Sequence, residues 1–162
     1  MIYDALWDIV ESDDTLTGLV REGNRIKFSR ELPTPDYDPR NEVVRDGNSP
    51  ELMLLPDYFM GNATATQSHS QIQKNYNWVI RTSSRIASLE LFPVEFALWR
   101  VLTSKSTYKT LEDLKFNSES FVNNVNISQG SVTIPETGSQ GMQVQAWRSI
   151  WVMSIGMNFS KS

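Results

Sequence analysis

The sequence predicts an α+β domain: a mostly antiparallel β-sheet with helices packed on it, a long C-terminal strand, and projecting hairpins or loops. Three observations carry this reading. Residues 143–161 alternate over far more than the usual strand length of roughly five or six residues, with Trp147, Trp151, Met153, Ile155, Met157 and Phe159 on one side and Val144, Ala146, Arg148, Ile150, Val152, Ser154 and Gly156 on the other. A second alternating run, 72–82, sets Ile72, Tyr76, Trp78 and Ile80 against Gln71, Gln73, Asn75 and Asn77. Between the two, Val94, Ala97, Leu98, Val101 and Leu102 form the i, i+3, i+4, i+7, i+8 stripe of a helix laid across a sheet.

The first element is a helix whose inner face is written by Ile2, Leu6, Ile9 and Val10, ending near Ser12. Asp13 or Asp14 then caps a short second helix in which Leu16, Leu19 and Val20 face inward, closed by Gly23 and Asn24. Arg25 to Phe28 reads as a short strand. Pro33, Pro35 and Pro39 forbid regular structure and predict an extended loop over 33–49. Residues 51–59 form an apolar run of strand length whose Pro56 predicts an edge position or a bulge. Residues 61–71 are small and polar, the composition of a hairpin tip or arm, so the run from 51 to 82 reads as one long hairpin. Pro93 suits the first turn of the main helix, which should end around Ser104. Thr110 is expected to cap one further helical turn. A strand over 122–128, a loop or second projecting hairpin over 129–142, and the terminal strand complete the order. The terminal strand is long enough that part of it is expected to pair beyond the domain body or to show its apolar face to a neighbour.

A chain of 162 residues suits one domain, 1–162, with a core of its own. It contains no cysteine and one histidine, His69, which removes thiolate chemistry, disulfides, and metal or catalytic sites built on two histidines. No cofactor is expected. The first residues lack a basic leader followed by an apolar stretch, so no secretory signal is expected, and no segment reaches the roughly twenty apolar residues of a membrane span. Residues 1–57 carry thirteen Asp/Glu against six Lys/Arg, and residues 58–162 carry six against nine, giving −7 and +3 within a net charge of −4. This split permits an acidic part of one subunit to approach a basic part of the next. It does not resemble a DNA-binding chain, which would gather its cations in a patch.

The common nucleotide, hydrolase and zinc signatures are absent. Carboxylate pairs such as Glu90 with Glu95, or Asp36 with Asp38, read as solvated faces, because nothing selects one pair over another. Asp36-Tyr37-Asp38 opens like a calcium loop, but Asn41 stands where that loop needs glycine. Two readings compete for the aromatic residues Tyr76, Trp78, Phe96, Trp99, Trp147 and Trp151. They are either sheet-to-helix core and subunit contact, or an exposed platform for stacking single-stranded nucleic acid, accompanied on its strands by Lys74, Arg81 and Arg148.

The N-terminal I-x-x-A-L-W-x-I-V helix, the T-L-T-G-L-V segment that follows, the central hairpin, the helix PVEFALWRVL and the closing Trp-rich strand together resemble tailed-bacteriophage neck proteins of the tail terminator, or tail completion, type. That resemblance implies a non-enzymatic virion protein, assembled in the bacterial host cytoplasm as a homo-oligomeric ring, by expectation a hexamer. Such a ring caps the tail tube protein on one side and meets the head-tail connector or stopper protein on the other. Genomic DNA passes through its lumen without sequence-specific binding, and no membrane is involved. On this mapping Lys74, Arg81, Arg148, Trp147 and Trp151 are interface or lumen candidates, and Asn62, Thr64, His69, Gln129 and Gln140 belong to arms that order against tube or connector. The proline-rich 33–49 segment departs from the pattern.

Overall fold

A computed structural model describes residues 2–27, 50–55, 63–67, 69–82, 87–116, 119–120, 122–126, 132–137 and 144–160. The elements in chain order are helices α1 (Ile2–Glu11) and α2 (Asp14–Leu19), a 3-10 turn (Glu22–Asn24), and strands β1 (Arg25–Lys27), β2 (Glu51–Leu54), β3 (Ala63–Ala65) and β4 (His69–Thr82). Helices α3 (Ala87–Leu102) and α4 (Lys105–Glu112) follow, then strands β5 (Lys115–Phe116), β6 (Glu119–Ser120), β7 (Val122–Asn126), β8 (Val132–Thr137) and β9 (Val144–Ser160).

The two alternating runs of the sequence become the two central strands. β4 and β9 pair antiparallel without a register shift from His69↔Ser160 to Thr82↔Trp147. Every other strand of the main sheet is arranged around this ladder, in the order β1-β2-β4-β9-β7, with β3 also on β4 and β8 also on β9. β2 and β3 lie end to end along the free edge of β4, at Trp78 to Arg81 and Ser70 to Ile72. β7 and β8 lie end to end along the free edge of β9, at Ser154 to Met157 and Val144 to Ile150. The sheet is therefore two long hairpins laid side by side, antiparallel throughout except for the parallel β1–β2 pair.

This arrangement corrects two expectations. The terminal strand does not need a neighbouring subunit to satisfy its backbone, because β4 matches it over fourteen residues and β7 and β8 cover its other side. β2 is not an edge strand either, since β1 lies outside it. Proline 56 and the rest of 56–59 fall outside the described residues, as do Phe28 and the proline-rich 33–49 segment.

Because strand side chains alternate, one face of the sheet is apolar by register, and all four helices pack there. Leu52, Leu54, Tyr76, Trp78, Ile80, Met153, Ile155 and Met157 meet Ile2, Tyr3, Leu6 and Val10 of α1, Leu16 of α2, the inner stripe of α3, and Leu111 of α4 in one core cluster. The tryptophans act as clamps across it. Trp7 of α1 stacks on Trp78 with ring centroids 6.3 Å apart, and Trp99 of α3 tilts against Trp151 at 5.7 Å. Polar ties fix α1 to the sheet edge: the Tyr3 hydroxyl donates to the Leu54 carbonyl at 3.0 Å, and Arg25 of β1 grips Glu11 with Nε and Nη2 at 3.0 and 3.2 Å. Lys27 reaches Asp4 at 2.6 Å, and this hydrogen bond holds the Asp4 carboxyl down to about 2.

The helices differ from the expectation in instructive ways. Leu19 is exposed, because α2 ends there and the chain turns extended at Val20, which is buried instead. α3 starts at Ala87, placing Pro93 inside the helix instead of in its first turn. The carbonyl that loses its N–H partner belongs to Leu89, 66% exposed, where water can replace the missing bond. α4 begins at Lys105, capped by Ser104, whose hydroxyl accepts from the Thr107 N–H at 3.2 Å, and Thr110 lies inside this helix. Residues 129–142 contain a strand, β8, whose Pro135 sits on an edge, as a residue lacking an N–H requires.

Trp78 is fully buried and its indole N–H has no hydrogen-bond acceptor among the described residues. Trp78→Ala is expected to lower unfolding free energy by about 3 to 5 kcal/mol, and Trp78→Phe by less, since it keeps an aromatic ring and removes the unpaired donor. Trp151→Ala should cost less than Trp78→Ala, because Trp151 is only half-buried. Urea denaturation of the three variants measures this ranking.

Candidate functional site

The described residues offer surfaces, not a catalytic constellation. No group of three His, Cys, Asp or Glu side chains among them is placed to hold a metal ion. No helix is long and apolar enough to cross a membrane.

The first surface is the outer side of α3. At about 3.6 residues per turn, Leu89, Phe92 and Phe96 fall on the side of the helix opposite Leu91, Val94, Leu98 and Val101. The inner four are buried, whereas Leu89, Phe92 and Phe96 are 66%, 41% and 75% exposed. Leu19 is the remaining exposed large apolar side chain among the described residues, so three of four lie on one helix face. A helix that is apolar all round ordinarily lies buried on both sides. Sequence reading missed this surface because the inner stripe alone explained a helix on a sheet. The signal was present in ASLELFPVEFALWRVL, where Leu89, Phe92 and Phe96 stand opposite the inner stripe among Ser88, Glu95 and Arg100.

The second surface is the face of the sheet turned away from the helices. Met53 and Val79 are buried there, with half-buried Ile26, Leu55 and Ile150 packed around them, and among the described residues no helix side chain joins this cluster. Val152, half-buried, follows Ile150 on the same face of β9. Next to the cluster one rung of the sheet carries Glu51, Arg81 and Arg148 on adjacent strands. Arg81 Nη1 lies 3.4 Å from Glu51 Oε2, and the two side chains are 5% and 2% exposed. Arg81, named from the sequence as an interface or lumen candidate, is thus enclosed within the chain as an ion-pair partner of Glu51. Arg148 is half-buried beside it.

The third feature is the placement of the hairpin ends. The β3–β4 turn lies where β4 begins, against the end of β9, and the β8–β9 connection lies where β9 begins, past the end of β4. The paired end of β3 and β4 and the start of β9 therefore lie at opposite ends of the ladder, which at about 3.4 Å per residue are roughly 45 Å apart along its fourteen residues. Ala63, Thr64, Ala65, Thr66 and Gln67 are exposed, and the first three form β3, so this arm is a paired hairpin instead of an irregular tip. His69 is not in the tip but opens β4, paired with Ser160. Asn62, Gln129 and Gln140 lie outside the described residues, as does the His69 side chain.

The remaining candidates lie on the helix-covered face. Lys74 is half-buried with Nζ 5.9 Å from the centre of the Tyr76 ring, and Trp147 and Trp151 are half-buried against the core. Tyr76 and Trp78 are buried. The row of rings that the nucleic-acid reading needs as an open platform is therefore occupied by α1 and α3.

Glu51 and Arg81 are the most enclosed ion pair among the described residues. Glu51→Ala removes the carboxylate beside a buried guanidinium and is expected to destabilise by about 3 to 5 kcal/mol, whereas the double replacement Glu51→Leu with Arg81→Met should recover most of the loss. Thermal and urea unfolding of the single and double variants gives the comparison.

No family model matches the chain, and no curated protein does. Among solved structures it is similar to a chain of the virion of a native gene transfer agent particle, at 12% sequence identity and a TM-score of 0.59, over 98% of this chain and 95% of that one. At that identity the likeness is one of fold, and it extends over essentially the whole of both chains.

Proposed function

We propose that the protein is a non-enzymatic structural component of a phage-like virion, a single tail-terminator-like domain that forms an oligomeric ring at the tail-neck junction. In this role it ends the tail tube and joins it to the head connector. The observation that carries the reading is the whole-chain likeness to a virion chain. The surfaces are consistent with it. A joining ring must bind itself sideways and two different partners above and below, and this protomer offers an apolar outer helix face together with hairpins at opposite ends of one rigid sheet.

On this reading the β3–β4 arm engages one partner and the β8–β9 end the other. The arm adds little to the core, since Ala63 to Gln67 are exposed. Its worth lies in several copies binding at once around a ring, where simultaneous contacts offset an ordering cost on the order of 1 kcal/mol per residue. Lys74 and Arg148 remain candidates for lumen or ring contacts.

Removal of the protein from an assembling particle is expected to leave filled heads and tails that do not join, with tail tubes of irregular length, when lysates are imaged by negative stain. Normally joined particles of normal tail length would reject the role. Deleting 63–70 should change the melting temperature by only a few degrees while abolishing joining. A deletion variant that is globally unfolded would show that the hairpin belongs to the core instead of the arm.

A further inference from the structure

Resting on the ring reading, we infer that the ring is held by strand addition. The outer edge of β3 on one copy pairs antiparallel with the outer edge of β7 on the next, so that the sheet continues from subunit to subunit.

The main-chain geometry fixes which groups those edges offer. Leu55 N–H donates to the Asn77 carbonyl at 2.9 Å, so Asn77 turns its backbone groups toward the β2 side of β4. The β4–β9 ladder has no register shift, so alternation puts the backbone groups of Asn75, Gln73 and Gln71 on that side as well. Thr64, opposite Gln71, is therefore bonded to it, and the N–H and C=O groups of Ala63 and Ala65 turn outward. The Leu54 carbonyl, which accepts from Tyr3, has the outward direction that the same alternation requires. The even-numbered residues of β4 face β9 instead, so Ser154 and Gly156 of β9 face Asn126 and Asn124 of β7. Val125, between those two, turns its N–H and C=O outward. Among the described residues no strand pairs with the outer side of β3 or of β7.

Exposed main-chain groups on an edge are a template for another strand unless the edge is blunted. The two ends of this sheet differ in that respect. Where β1 and β8 form the margins, Arg25 and Lys27 charge one edge, and Pro135 with the shift at Glu136/Thr137 interrupts the other. Where β3 and β7 form the margins, residues 58–73 and 120–134 contain no Asp, Glu, Lys, Arg or Pro. Ala63, Thr64 and Ala65 are small and exposed, so an incoming strand meets no bulky side chain on β3. The shift between Val122 and Asn124 precedes the regular stretch of β7 and bends that margin, as a sheet closing around an axis requires.

Direction and face select a second copy of this chain as the occupant. β3 runs opposite to β4, β4 to β9, and β9 to β7, so β3 and β7 run in opposite directions on opposite margins, at the same end of the ladder. Rotation about an axis along the strands keeps strand direction and brings β3 of one copy beside β7 of the next as an antiparallel pair. Two unlike edges make a head-to-tail contact, the kind that closes into a ring. The faces agree too, because Ala63 and Ala65 share the helix-covered side with Ile72 and Ser70, and Val125 shares it with Ile155. Val125 then stands opposite Ala63 or Ala65 and exchanges two hydrogen bonds with it. Thr64 stands opposite Asn124 or Asn126 accordingly, in a pair without hydrogen bonds.

Such pairs hold Cα atoms about 4.5 Å apart, within disulfide reach, and the chain has no cysteine of its own. Thr64→Cys is mixed with Asn124→Cys and, separately, with Asn126→Cys, one for each register, and oxidised. Thr110→Cys, exposed on α4, is the control partner. One of the two mixtures should give a linked species of twice the 18.5 kDa chain mass at least tenfold above Thr64→Cys with the control. In parallel, Ala65→Pro removes an outward N–H and none of the bonds to β4, so it should lose self-association by light scattering with its melting temperature near that of the unaltered chain. Ala63→Pro replaces it should it fail to fold, and Thr64→Pro, which removes the bond to Gln71, should melt lower. Yields no higher than control in both mixtures would overturn the inference, as would preferential linking of Thr64→Cys to itself, which would establish a β3-to-β3 dimer. Gold labelling of the protein in purified particles separates this contact from the virion role. Label at the neck with unaltered mass for Ala65→Pro rejects the contact alone, and cross-linking without label in the particle rejects the virion role alone.

Discussion

The antiparallel ladder between β4 and β9 is the constraint on which the rest of the structure depends. It runs from His69↔Ser160 to Thr82↔Trp147 without a register shift, and its side-chain period of two decides what every other element can do. In this register Tyr76 faces the same side as Met153, and Trp78 the same side as Trp151, so the large rings gather on one face. A slip of one residue would turn Trp78 and Ile80 away from the helices and bring Asn77 and Arg81 among them. The tolerance for such a slip is small because both strands bury residues along most of their shared length.

The helices are fitted to this face by a few specific attachments. Trp7 stacks on Trp78 and Trp99 leans on Trp151, so α1 and α3 each place an indole over a ring of the central ladder. Tyr3 and the Arg25–Glu11 pair tie α1 and β1 to the sheet margin, and Asn24 reaches the Pro50 carbonyl at 3.3 Å to bring β1 alongside β2. These bonds link segments far apart in sequence, and they convert an apolar preference into one particular packing.

Among the described residues, no helix packs on the outer side of α3 or on the far side of the sheet. α3 is consumed on its inner side by the core and remains apolar on its outer side, and the far side of the sheet carries a smaller apolar cluster flanked by cations.

What the sequence determined by itself was set by local periodicity. The alternation in 72–82 and 143–161 and the stripe from Val94 to Leu102 specify long strands and a sheet-covering helix, since those patterns follow from 2.0 and 3.6 residue repeats. Helix ends were less legible. Ser104 outcompeted Thr110 as a cap because Thr107 lay in reach of its hydroxyl, and Pro93 was tolerated inside α3 because the freed carbonyl lay at the surface. Only the tertiary structure decided the pairing of β4 with β9, the enclosure of Arg81 by Glu51, and the opposite directions of the two hairpins, because each depends on contacts between residues remote in the chain. The exposure of Phe96 belongs to the same class. An apolar residue in a helix carries no mark of whether its own core covers it, and that became visible only once the helix was laid on the sheet.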